Sequence, residues 1–161
     1  MDHASLFVNT IFGNPATILH FRALYEAPDG RLLPVRKTSG TLHESYAKLQ
    51  ELNRQGYGIF VTINKTDGLG VSASNIMGLR ALFVDKADGD LMADAHTASL
   101  IVNTRRGQHA YWVLKNDEPV CSFTPAQKEL AHHFESDTCV TDLSRVMRVP
   151  GFMHMKGPGE H

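Results

Sequence analysis

Apolar positions along the chain recur with two spacings, every second residue in some stretches and every third or fourth in others. Thr17 to Tyr25 (TILHFRALY) is rich in β-formers and predicts a strand. Asp29-Gly30 then reads as a turn into a second strand from Arg31 to Lys37, an edge strand because Pro34 interrupts it. Thr41-Leu42-His43-Glu44 is a capping box, and Leu42, Tyr46, Leu49 and Leu52 follow at helical spacing up to a stop at Gly56. Tyr57 to Asn64 (YGIFVTIN) predicts a strand, and Lys65 to Gly70 (KTDGLG) a turn. Leu79 to Asp85 (LRALFVD) is apolar on both faces near its end, which predicts a strand central in its sheet.

Ser99 to Thr104 and His109 to Leu114 flank Arg105-Arg106-Gly107-Gln108, the pattern of a hairpin with a basic tip. In Thr124-Pro125-Ala126-Gln127 the threonine predicts a cap, the proline a first helical position and the glutamine the third. The helix runs to about Glu135 with Ala126, Leu130, Ala131 and Phe134 facing inward. Thr141 to Gly151 reads as a short turn or helix ending at Pro150-Gly151. Mixed helices and hairpins predict an α+β fold with a largely antiparallel sheet.

Composition narrows the class. The 161 residues are one domain's worth and carry no internal repeat, low-complexity tract or linker, so a single unit spanning 1–161 is expected. Hydrophobic residues make up 42% and charged residues 20%, which excludes a disordered chain and a membrane protein. Sixteen Lys+Arg against seventeen Asp+Glu give a net charge of −1, so an anionic partner has to be held by a local patch. Cys121 and Cys139 form neither a disulfide framework nor a CxxC pair. With an acid at position 2 and no long apolar run, the expectation is a cytoplasmic protein without a secretion or anchoring signal.

Three segments carry candidate chemistry. The strand ending at Asp85 leads into Asp88 and Asp90; clustered carboxylates are how a fold holds Mg²⁺ or Mn²⁺, although an acidic loop serves equally as a solvated turn. Metal-binding acids on one strand stand at i and i+2, and here that position is Ala87, so Asp88 joins Asp85 only through a bulge or turn after Lys86. At the hairpin, Arg105 and Arg106 offer forked donors for phosphate, with His109 opening the return strand. In the third segment Asp142 precedes Arg145 and Arg148, which share a side if the turn is helical, with His154 and Lys156 following. There Asp142 serves as an N-cap or as a metal ligand. His132 and His133 are adjacent on a helix and read as surface or helix-packing groups.

Taken in order, these segments resemble the three motifs of the archaeo-eukaryotic primase superfamily, the primase-polymerases of plasmids, phages and integrated elements, and within it the RepB-like primase group. Leu52-Asn53 with Gly56, Phe60 to Asn64, Thr66-Asp67-Gly68, Asn75-Ile76 and Arg80 to Asp85 resemble the approach to the first motif. His109 to Trp112 resembles the second, and Asp142 to Arg145 with Arg148 to Gly151 the third. The resemblance covers about Leu42 to Gly157. It implies an RRM-like mixed or antiparallel catalytic sheet (about 79–161) beside an N-terminal α/β unit (about 1–78), joining NTPs or dNTPs on a single-stranded DNA template with Mg²⁺ or Mn²⁺. By that analogy Asp85 and Asp142 hold the metal, joined by Asp88 through a local bulge, and His109 contacts the nucleotide; Arg145 and Arg148 become candidates for triphosphate or template contacts, beside the phosphate-binding Arg105 and Arg106 read from the hairpin. A replicative helicase is an expected partner class, its own region lying outside such a minimal core. Tyr111 and Trp112 are candidate base platforms, but alternation on a strand lets only one of them serve.

Ala87 departs from the family's acid-x-acid pattern and raises a second reading, a degenerate member that binds single-stranded DNA or nucleotide without polymerising. A rolling-circle nuclease, the third reading, needs a His-hydrophobic-His metal motif that the chain lacks.

Overall fold

The computed structural model describes residues 2–26, 31–87, 91, 95 and 97–155. In chain order its elements are α1 (His3–Phe12), β1 (Leu19–Tyr25), β2 (Arg36–Gly40), α2 (Leu42–Arg54), β3 (Tyr57–Thr62), β4 (Lys65–Thr66), β5 (Ile76–Gly78), β6 (Ala81–Ala87), β7 (Leu100–Asn103), β8 (Gly107–Val113), α3 (Phe123–His133) and β9 (Val146–Arg148). Two compact units divide them: Met1–Thr62 with Val146–His161, and Ile63–Arg145. No helix among the described residues is long and apolar enough to cross a membrane.

The first unit is a four-stranded antiparallel sheet of order β2-β1-β3-β9 with α1 and α2. Helix α1 starts at Asp2, whose carboxylate accepts from the Ser5 amide at 2.8 Å, and ends at Gly13 in the left-handed region, φ 71°. It buries Ala4, Phe7, Val8, Ile11 and Phe12, one stripe at helical spacing. The Thr41–Glu44 capping box forms as expected, with the Glu44 amide donating to Thr41 Oγ1 at 3.2 Å and the Thr41 amide to Glu44 Oε2 at 3.0 Å. Asn53, buried at the end of α2, donates to the carbonyls of Tyr57 and Met153 and accepts from the Met153 amide, pinning the chain beyond β9.

Two expectations for this unit are corrected. Strand β2 begins at Arg36 rather than Arg31, its pairing with β1 ending at Ala23↔Arg36. Pro34 has no N–H to give a ladder. Val146 to Arg148 is not helical; it pairs with β3, Val61↔Met147 and Phe60↔Arg148, because buried Met147 and Val149 alternate with partly exposed Val146 and Arg148 at period two. The Asp29-Gly30 turn lies outside the described residues.

The second unit holds a three-stranded antiparallel sheet of order β6-β8-β7, the β4–β5 pair and α3. Among the described residues β6 is therefore an edge strand, not a central one. Its two apolar faces are nonetheless both covered: Phe83 lies against Phe123 and Tyr111, while Val84 joins a cluster with Leu91, Ala95, Ala110 and Phe134. Helix α3 starts two residues earlier than expected, at Phe123 rather than Pro125, out of a 3-10 turn over Val120–Ser122. Thr124 is not its cap, since its hydroxyl donates to the Thr141 carbonyl at 3.1 Å, and Gln127 turns inward rather than back to the helix start.

Candidate functional site

Strand β6 delivers Asp85 directly opposite His109 on β8. The carboxylate Oδ1 lies 3.4 Å from His109 Nε2, and His109 Nδ1 lies 3.4 Å from the Tyr111 hydroxyl, so both ring nitrogens face a polar neighbour. Asp85 keeps 40% of its side chain exposed against 11% for His109; the carboxylate is the accessible end of this row. Tyr111 is fully buried, and burial foremost, with the Asp85 charge beside it, holds its phenol far above the ordinary range. It is core, not a base platform. Trp112 points to the other face, half-buried against Phe134 with its indole N–H on Thr97 Oγ1.

The β6–β8 register runs unbroken from Ala81↔Val113 to Ala87↔Gly107. Asp85 and Ala87 thus share a face, and over the paired residues no bulge follows Lys86. Asp88 and Asp90 lie outside the described residues, as does Lys156. Gly107 makes this close pairing possible: a Cβ there would overlap the Lys86 carbonyl oxygen. The chain turns between β7 and β8 with the Thr104 amide donating to the Gly107 carbonyl at 2.8 Å, which leaves Arg105 and Arg106 exposed at the tip.

Asp142 is exposed in the loop after α3. Its carboxylate accepts from Ser144 Oγ at 3.1 Å and lies 3.7 Å from Arg145 Nη1. Among the described residues no three His, Cys, Asp or Glu side chains gather to hold a metal ion. Asp85 and Asp142 nevertheless each supply hard, accessible carboxylate oxygens of the kind Mg²⁺ or Mn²⁺ takes.

A feature not anticipated from the sequence lies in the first unit. Lys37, Arg22, Phe60 and Arg148 stand opposite one another in a row across all four strands, on the face away from buried Phe21, Val61 and Met147. The Arg148 guanidinium lies 4.5 Å from the Phe60 ring centroid and donates from Nη2 to both oxygens of Glu26 at 2.8 Å. This pair is part-buried, and Gly58 makes room for it, since a Cβ there would overlap Glu26 Oε2. Alternation in Leu19-His20-Phe21-Arg22-Ala23 marks Arg22 as facing away from the core; the partner strands' contributions depend on register, which no local pattern carries.

Residues 81–160 match the family model of the RepB DNA-primase N-terminal domain. No curated protein sequence matches the chain. Its fold is similar to the AEP domain of the cyanophage S-2L primase-polymerase, with a TM-score of 0.73 and 23% identity over 95% of this chain and 83% of that one. It is also similar to primase RepB′, TM-score 0.70 at 15% identity, covering 96% of this chain and half (50%) of that one. The catalytic domain of RepB′ in complex with initiator DNA gives 0.65 at 13% identity, over 94% of this chain and 78% of that one. Residues 81–160, the motif-bearing part of this mixed α+β chain, thus belong to the RepB primase family, and the chain around them has the fold of the primase-polymerase domains.

Proposed function

We propose that the chain is a primase-polymerase catalytic domain that joins nucleotides on a single-stranded DNA template. The observation that carries this reading is the cross-strand placement of Asp85 against His109, which brings the first-motif acid and the second-motif histidine together. In the transfer, a 3′-hydroxyl attacks the α-phosphorus of the incoming nucleotide, the bond to the bridging oxygen breaks, pyrophosphate leaves and the hydroxyl proton is lost. A bound divalent cation supplies the positive charge that favours the alkoxide and neutralises the leaving group. Asp85 and Asp142 would hold that cation as two ligands of a larger set. His109 orients the Asp85 carboxylate and borders the nucleotide. Arg105, Arg106 and Arg145 receive phosphate charge, and exposed Lys37 at the end of the four-strand row offers a further cation to a single strand. Synthesis of primers on single-stranded DNA with Mn²⁺ and nucleotides tests the reading.

One observation favours the second reading, a domain that binds but does not polymerise: Ala87 occupies the position on Asp85's face where the family carries an acid. Calorimetry separates the two. Cation-dependent nucleotide binding supports the enzyme; DNA binding without it supports the degenerate form.

A further inference from the structure

Two buried side-chain amides bracket Asp142 and tie its loop to the strand that carries Asp85. Gln127 accepts from the Phe83 amide at 2.9 Å and donates to the carbonyls of Phe83, at 2.8 Å, and Val140, at 2.9 Å. Phe83 lies two residues before Asp85 and Val140 two before Asp142. Asn64 accepts from the Arg80 amide at 3.1 Å and donates to the Leu143 carbonyl at 3.1 Å. Arg80 immediately precedes β6 and Leu143 immediately follows Asp142. Between them the Asp137 amide donates to the Asp85 carbonyl at 2.9 Å and Thr124 Oγ1 to the Thr141 carbonyl.

A strand edge needs both donors and acceptors, and the side-chain amides supply the two side by side on one planar group without charge. Gln127 is entirely buried and Asn64 nearly so. Burying an amide costs stability unless its bonds are made, and these two direct theirs to β6, the residue before it and the Asp142 loop. Leucine or methionine would fill the same space without that cost if filling were the only need.

We propose that Gln127 and Asn64 are positioning residues that fix the loop of Asp142 to the strand of Asp85, so that the two carboxylates are spaced for a divalent cation before it arrives. The inference rests on the proposed reading that these carboxylates hold a cation. Carboxylates that share a cation repel each other in its absence, and backbone anchors on both sides oppose that repulsion.

The test is Mn²⁺ binding by the full chain, followed by electron paramagnetic resonance, together with amide hydrogen exchange. Gln127→Glu and Asn64→Asp keep the acceptor and lose the donor. Each is expected to weaken Mn²⁺ binding about tenfold or more, with faster exchange at Phe83–Asp85 and Val140–Arg145 and unchanged protection in β1 and β3. Thr124→Val removes one tether at a half-buried position and is expected to give a smaller change of the same sign. Folded variants that bind Mn²⁺ like the wild type overturn the proposal. Should the amide variants fail to fold, Thr124→Val decides in the same two directions. Should the wild type bind no Mn²⁺, or Asp85→Ala bind it equally well, the reading of the carboxylates fails. Exchange at Val140–Arg145 in Thr124→Val then decides the clamp by itself, acceleration supporting it and no change overturning it.

Discussion

Asp85 and His109 face each other across the β6–β8 pair with 3.4 Å between carboxylate and imidazole, and the same ring stands 3.4 Å from the buried hydroxyl of Tyr111. The row runs from an accessible carboxylate to a fully buried phenol, so a charge at its outer end is felt at its inner one.

Alkaline stability follows from that row. Burial, then the Asp85 charge, raises the Tyr111 phenol above its ordinary value of 10.0. The unfolded chain ionises this tyrosine near pH 10 while the folded chain holds the proton to higher pH, so its contribution is intact below pH 10 and is lost as pH rises beyond it. The loss is about 1.4 kcal/mol per pH unit above 10. Urea unfolding from pH 8 to 11 is expected to show this slope in the wild type and a shallower one in Tyr111→Phe.

Gly107→Ala tests the end of the β6–β8 pair. The added Cβ meets the backbone oxygen of Lys86, and backbone cannot swing aside as a side-chain tip can. The expected cost is about 1–3 kcal/mol in urea unfolding, with amide exchange quickening at Asp85–Ala87 first.

The Glu26–Arg148 pair predicts a coupled energy. Their side chains are 6% and 17% exposed, so removing one takes a two-pronged charge-assisted bond from a largely buried partner. Glu26→Gln and Arg148→Met are each expected to cost about 3–5 kcal/mol. The double variant is expected to cost clearly less than their sum, and a double-mutant cycle in urea measures the difference.

Arg105 and Arg106 are exposed at the tip of the hairpin, so replacing both by alanine is expected to leave stability within about 0.5 kcal/mol. Binding to single-stranded DNA should weaken, and the slope of log Kd against log salt should fall by about 0.7 for each phosphate no longer neutralised. An unchanged slope removes the hairpin from the path of the strand.

Where local pattern and burial agree, the sequence anticipates the structure closely. The Thr41–Glu44 capping box, the strand ending near Asp85 and the basic hairpin all rest on signals contained within a few residues. Helix α1, absent from the elements expected from the sequence, carries a local signal of the same kind: Asp2 at its cap, the stripe Ala4, Phe7, Val8, Ile11 and Phe12, and Gly13 at its end. What no window of sequence carries is pairing between distant segments. Apolar faces make β6 read as central, yet Gln127, 44 residues after Phe83, closes its edge. Arg145 and Arg148 read as one helical face until β3 draws Val146–Arg148 into its sheet. The three candidate motifs are all legible in their residue types. That Ala87, not a bulged acid, shares Asp85's face depends on the β8 register and appears only in the fold.

Primer synthesis on single-stranded DNA with Mn²⁺ and nucleotides tests the proposed activity most directly, compared among the wild type, Asp85→Ala, Asp142→Ala and the double variant, with folding of each checked by circular dichroism. De novo products are expected from the wild type and none above background from any folded variant. Synthesis that survives both substitutions together, or a wild-type chain that binds the DNA and makes no product, would contradict a cation-dependent primase-polymerase built on these two carboxylates.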